Sequence, residues 1–236
     1  MNGFRLWIAR LAALLVAGSA LAAQETPEID IRFRLLGLGV RAESFYYVQG
    51  DEVKRVDLPN RRFSDARRYR GPQPLALYRS EPPVDRDRAE WPAPFMRLRL
   101  PSDESRVMVL FFPGAGEDYR TTIFPDDIAW GREGSAIRMW NLTTRPLGVR
   151  LGEELKRVGP RETITWSNPE GKRRAFVVLV ERGEGGDLQR LKSGYVRLAP
   201  YARSLVFVAP TARAEREGEF NVRLFQIFDL REDAGG

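Results

Sequence analysis

Ten consecutive residues carry the densest charge in the chain. Arg61-Arg62-Phe63-Ser64-Asp65-Ala66-Arg67-Arg68-Tyr69-Arg70 holds five arginines and two aromatics. The planar guanidinium fork grips sulfate, phosphate or carboxylate groups through paired hydrogen bonds, and rings stack on sugars or bases. Arg61, Arg62, Arg67, Arg68, Tyr69 and Arg70 are therefore the candidate site for a polyanion. The competing reading is a strand edge guarded by charge. On an extended strand, Arg61 and Arg67 would share one face while Arg62, Arg68 and Arg70 share the other. A strand would split the cluster; a loop could converge it.

Other chemistries are closed by composition. The chain has no histidine and no cysteine, which removes zinc sites of the usual N/S type, thiol nucleophiles and any triad with an imidazole base. There is no Ser-x-x-Lys pair and no phosphate-binding Gly-x-x-x-x-Gly-Lys-[Ser/Thr] loop. A carboxylate pair or an oxygen-liganded metal is what survives. Glu117-Asp118, Asp126-Asp127 and Glu153-Glu154 are acids adjacent in sequence, whereas a glycosidase needs its two across a cleft; such neighbours on turns read as solvated. Asp85, Asp87 and Glu90 stand at the spacing of a calcium loop but are interleaved with arginine and lack its glycine. No catalytic residue, metal or cofactor is assigned. Asn141-Leu142-Thr143 fits a glycosylation acceptor.

The chain repeats itself. Ile31-Arg32-Phe33 recurs as Ile137-Arg138-Met139, and Gly50-Asp51-Glu52-Val53-Lys54-Arg55-Val56 as Gly152-Glu153-Glu154-Leu155-Lys156-Arg157-Val158. Phe95-Met96-Arg97-Leu98 matches Tyr195-Val196-Arg197-Leu198, and Val107 to Pro113 matches Leu205 to Pro210. The offsets run 106, 102, 100 and 97, in order. Two of only four lysines, Lys54 and Lys156, fall at equivalent places. A tandem duplication follows, with domains near 26–127 and 130–231.

Alternation and β-branched or aromatic residues place strands near 30–36, 44–49, 52–57, 74–79, 95–100, 105–112 and 119–124 in the first copy. In the second they fall near 135–141, 147–151, 154–158, 161–166, 173–182, 188–198, 203–209 and 220–228. The expected fold is all-β, with two tandem immunoglobulin-like β-sandwich domains. Gly71 to Pro94, with six of the sixteen prolines, reads as an edge or a loop crossing between sheets. The runs Val107 to Phe112 and Phe176 to Val180 are apolar without alternation. They must be covered by a loop or by the sister domain, or form a partner surface.

Residues 1–22 have the layout of a secretory signal: Arg5 and Arg10, an apolar run from Leu11 to Gly18, then Ala20 and Ala22 at small-x-small spacing. Cleavage after Ala22 would leave 214 residues and no later segment of spanning length. The mature chain is expected in the periplasm or outside the cell. Its 36 basic and 32 acidic residues give +4, and all but four of the basic residues are arginine. Arginines alternate with apolar residues, as in Ile31-Arg32-Phe33-Arg34-Leu35, which reads as a solvated outer face, and no nucleic-acid partner is expected.

The leading expectation is a non-catalytic envelope protein that binds or scaffolds, its partner an envelope protein or an anionic polysaccharide. In outline the chain also resembles the periplasmic assembly chaperones, through its export signal, paired immunoglobulin-like domains, similar length and basic balance. That resemblance implies an exposed edge strand of alternating large apolar residues for capturing a client strand. A third class is a polysaccharide hydrolase using two carboxylates.

Overall fold

A computed structural model describes residues 28–114, 118–127, 136–167, 173–182, 186–198, 202–211 and 220–230. The signal segment 1–22, Glu117 and Asn168 lie outside the described residues. The chain is all-β, with sixteen strands among the described residues and one 3₁₀ turn at Arg88–Glu90.

In the first half the strands are β1 (Glu28–Gly37), β2 (Glu43–Gln49), β3 (Glu52–Leu58), β4 (Arg67–Pro72), β5 (Leu75–Leu77), β6 (Met96–Leu98), β7 (Arg106–Pro113) and β8 (Tyr119–Pro125). The second half has β9 (Ala136–Asn141), β10 (Leu147–Leu151), β11 (Glu154–Val158), β12 (Thr163–Ser167), β13 (Arg174–Arg182), β14 (Leu188–Arg197), β15 (Ala202–Pro210) and β16 (Val222–Leu230). All fifteen expected strands are present. The addition is β4, inside the arginine cluster.

One sheet of the first half has the order β4-β1-β7-β8; the pairs β2-β3 and β5-β6 face it, joined by a bridge between Tyr46 and Tyr78. The second half has sheets in the order β12-β9-β15-β16 and β11-β10-β13-β14. Each second-half strand thus occupies the place of the strand eight before it. The β1–β7 and β9–β15 pairs are both parallel. Both lysine hairpins turn at a glycine in the left-handed region, Gly50 at φ 61° and Gly152 at φ 63°, a conformation costly for residues with a Cβ. Lys54 lies opposite Tyr47 and Lys156 opposite Val149. Arg61 and Arg161 share positive φ, 60° and 63°, and their amides donate to Gly37 O and Asn141 O.

Three cores hold this together. In the first half, Phe33, Leu35, Phe45, Tyr47 and Phe111 are buried between its two sheets. Ile137, Met139, Val177, Leu179 and Val206 do the same in the second. The third core lies between the halves, where the β1-β7-β8 face (Leu36, Met108, Leu110, Phe124) meets the β9-β15-β16 face (Trp140, Leu205, Phe207, Ile227). The Trp140 and Phe207 rings stack there at 5.0 Å. The outcome is a stack of four layers in which β-faces, not loops, join the halves.

This explains the run Val107 to Phe112, whose alternate residues fill the first core and the one between the halves. Phe176 to Val180 differs. Val177 and Leu179 are buried, but Phe176 is 44 % exposed. The segment Gly71 to Pro94 supplies β5 and the 3₁₀ turn between irregular stretches. Among the described residues no helix is long and apolar enough to cross a membrane.

Candidate anion-binding surface

β4 forms because the cluster ends in alternation. Tyr69 turns inward, 3 % exposed, with its ring edge-on to Tyr47 at 6.0 Å. Its hydroxyl donates to the Pro72 carbonyl at 2.7 Å. Gly71 makes room, since a Cβ there would stand 3.0 Å from the Tyr69 hydroxyl oxygen. Arg68 and Arg70 therefore point outward. Tyr69 itself belongs to the core and presents no ring to a ligand.

Antiparallel pairing puts Arg68 opposite Arg32 and Arg70 opposite Asp30, and parallel pairing puts Arg106 on the other flank of Arg32. Arg68, Arg32 and Arg106 thus form one row across three strands, with Arg70 one step along β4. The Arg68 fork donates to both oxygens of Asp30, at 2.7 and 2.6 Å. These hydrogen bonds, with the charges of Arg68, Arg70 and Arg32, hold the Asp30 carboxyl below the usual carboxylate range. Asp30 is the acid that Arg68 holds in this row, and Arg32 and Arg70 stand exposed beside it.

The remaining cluster residues go elsewhere. Arg61 lies at the boundary between the halves, its guanidinium 5.9 Å from the Phe225 ring centre. Arg62 is exposed in the loop, and Arg67 takes the opposite face of β4, 4.0 Å from Asp65. Of the six expected site residues, the structure brings together Arg68 and Arg70, and adds Arg32 and Arg106. The alternation of β1 marked Arg32 as outward-facing, but only the pairing of β1 with β4 shows that the two meet.

The expected solvated face fails at Arg34, which is 6 % exposed. Its Nε donates to Asp126 at 3.0 Å, and its Nη atoms to Asp229 at 2.8 and 3.0 Å. Arg203, from β15, reaches Asp126 at 3.1 Å, also bonds Asp229, and donates to the Asp127 carbonyl at 3.0 Å. Two arginines and two aspartates form a neutral quartet between the halves. Asp126, expected in a solvated pair with Asp127, is 3 % exposed. Burial pushes the Asp229 carboxyl up, but the bonds and charges of Arg34 and Arg203 outweigh it, and the net shift is downward. Burial likewise lowers Arg34, and its bonds to Asp229 and Asp126 reverse this to a net rise. Sequence patterning marked Arg34 as outward-facing without revealing that another sheet covers that face.

The other candidates are occupied structurally. Asp87 accepts from the Ala89 amide at 3.0 Å, and Glu90 lies 3.9 Å from Arg86. Glu154 pairs with Lys156 at 2.8 Å, as Glu52 does with Lys54 at 3.3 Å. Asn141 is no glycosylation acceptor in the folded chain. It is 1 % exposed, and its amide nitrogen donates to the carbonyls of Arg145, Val158 and Gly159. No family model and no curated protein sequence matches this chain.

Proposed function

We propose that the chain is an exported, non-catalytic envelope protein that binds or scaffolds through two sandwich domains derived from one by duplication. The domains, near 26–127 and 130–231, are immunoglobulin-like in size and two-sheet layering. Their parallel β1–β7 and β9–β15 pairs depart from the wholly antiparallel plan of that fold. Duplication is supported by the one-to-one match of strand orders, the paired lysine hairpins and the paired positive-φ arginines.

The observation that carries the binding role is the basic row on the first-half sheet, where Arg32 and Arg68 stand directly opposite each other with Arg70 beside them. Like charges opposite on neighbouring strands are unfavourable. An anionic partner is the natural relief, and Asp30 meets only part of the demand. β4 is an arginine-rich edge, a composition that deters added strands, which weighs against a strand-capturing chaperone. The buried acids Asp126 and Asp229 are held between arginines, which weighs against their use as a hydrolase pair.

Exposed arginines bind weakly at physiological salt, where the Debye length is about 8 Å. The test is retention on immobilised heparin at low and physiological salt, comparing the protein with an Arg32→Gln/Arg68→Gln/Arg70→Gln variant. The expected result is retention that fades with salt and is weakened in the variant. Unchanged retention would remove this surface as the site. Export is tested separately by mass spectrometry of secreted material, which should begin at Ala23; material retaining Met1 to Ala22 would overturn it.

A further inference from the structure

The sheet β11-β10-β13-β14 closes one end of the four-layer stack, and its outer face carries exposed arginines and exposed apolar side chains together. Strand register fixes what it displays. Arg150 lies opposite Leu155 on one side and Val178 on the other. Arg157 and Val180 flank Gly148, and Arg190 lies beyond Val180. Arg174 faces Arg197 at the far end. Arg150, Arg157, Arg174, Arg190 and Arg197 are all exposed, and none forms an ion pair with a described residue. The strand acids Glu154 and Glu181 alternate to the opposite side, where they bond Lys156 and Arg145.

Between these arginines stands an exposed aromatic pair. Phe176 is 44 % and Tyr195 64 % exposed. They are cross-strand partners with ring centres 5.0 Å apart, and the Arg174 guanidinium lies 5.0 Å from the Tyr195 ring. Leu155, 46 % exposed, with the half-buried Val178 and Val180, continues the apolar surface across the sheet. In the first half the arginine that matches Arg157, Arg55, is held by Asp57 and Ser44. Gly159 stands at the place of Asp57. The repeat framework is kept while the neutralising acid is absent from the second half.

We propose that this face binds an acidic polysaccharide, a polymer of pyranose rings bearing carboxylate or sulfate groups. The five arginines supply the complementary charge, each offering a fork to one acid group. The Phe176–Tyr195 pair and its aliphatic neighbours receive the apolar C–H faces of the sugar rings. A single-stranded nucleic acid would use a succession of stacking rings, whereas two rings flanked by Leu and Val suit C–H surfaces. The choice of sugar also rests on the exported setting proposed above. Strand steps of about 3.3 Å per residue put outward-facing rows roughly 6.6 Å apart, so a polymer lying along the strands meets arginine, aromatic and aliphatic rows in turn.

Affinity electrophoresis of the purified protein through gels containing polygalacturonate tests this, with neutral dextran and oligo(dT) as comparison polymers. Retardation by polygalacturonate alone is expected. Phe176→Ala/Tyr195→Ala should weaken it roughly tenfold, a truncation of the size seen at binding hot spots. Arg150→Gln/Arg174→Gln/Arg197→Gln should weaken it further. Both variants change exposed side chains and should keep the wild-type melting temperature. Unchanged retardation in either variant, or equal retardation by oligo(dT), overturns the proposal. Loss confined to Arg32→Gln/Arg68→Gln/Arg70→Gln overturns it too, and leaves the first-half surface as the site.

Discussion

Asp229 shows how much can hang on one side chain. Both oxygens accept from Arg34, and one also from Arg203. The quartet is neutral, so Asp229→Asn would leave two buried guanidinium groups sharing Asp126 as the quartet's remaining carboxylate. Removing one partner from a buried ionic cluster costs about 3–5 kcal/mol, and denaturant unfolding should report a loss of that size. The pH dependence has a definite sign. Because the Asp229 carboxyl is lowered in the folded chain, its contribution is complete above the unfolded-chain value near pH 4. It is lost as pH falls through the lower folded value. Wild-type stability should therefore drop on acidification below about pH 4, while the Asn variant, already weaker, should have a flatter profile over that window. Equal slopes would mean that the quartet does not govern acid unfolding.

Among the elements, the β10-β11 hairpin depends on Asn141 at the end of β9. Its amide nitrogen donates to three carbonyls, and its oxygen accepts from the amide and hydroxyl of Thr143. By strand register Gly37 holds the corresponding place on β1, so Phe33, and not Ile31 as the sequence repeat has it, matches Ile137, and the side-chain anchor is special to the second half. Asn141→Ala would orphan buried groups at roughly 1–3 kcal/mol each, and the melting temperature should fall by about 5–10 °C. A fall under about 2 °C would mean that the turn holds without it. The strands themselves were legible because each has one face in a core: Ile29, Ile31 and Phe33 alternate with Asp30 and Arg32, and that alternation is local. β4 was missed because only Tyr69 on it is large and apolar. Arg34 continues the polar phase of β1 and is buried by a sheet whose approach no local pattern records. The arginine row suffers the same limit, for Arg32 and Arg68 are 36 residues apart in sequence and meet only through register.

At the scale of the molecule, the halves share an apolar face that neither can cover alone. Leu36, Met108 and Leu110 on one side, and Trp140, Leu205 and Phe207 on the other, are buried only because the sheets meet. Produced separately, segments 26–127 and 130–231 should self-associate, because an uncovered patch of this kind is an aggregation surface. Mixed at equal concentration, they should form a one-to-one complex. Size-exclusion chromatography with light scattering reads both outcomes, and two stable monomers that ignore each other would contradict the interface.

The Arg34–Asp229 bond spans 195 residues, from the first strand to the last. That separation sets an order in time. As the chain grows from its N-terminus, the first half can complete its inner core as soon as β8 has emerged. Its back face, and the Arg34 guanidinium beside it, must then wait for β9, β15 and finally β16. For that interval the protein is a folded half with an open apolar wall. The last strand supplies both the covering surface and the second counter-charge, so closure comes late and in one stroke. Contacts of such long range form slowly, and exposed surfaces of this kind are what nascent chains lose to aggregation. A chain cut short before β16 would lack Phe225 and Ile227 of the covering face together with Asp229.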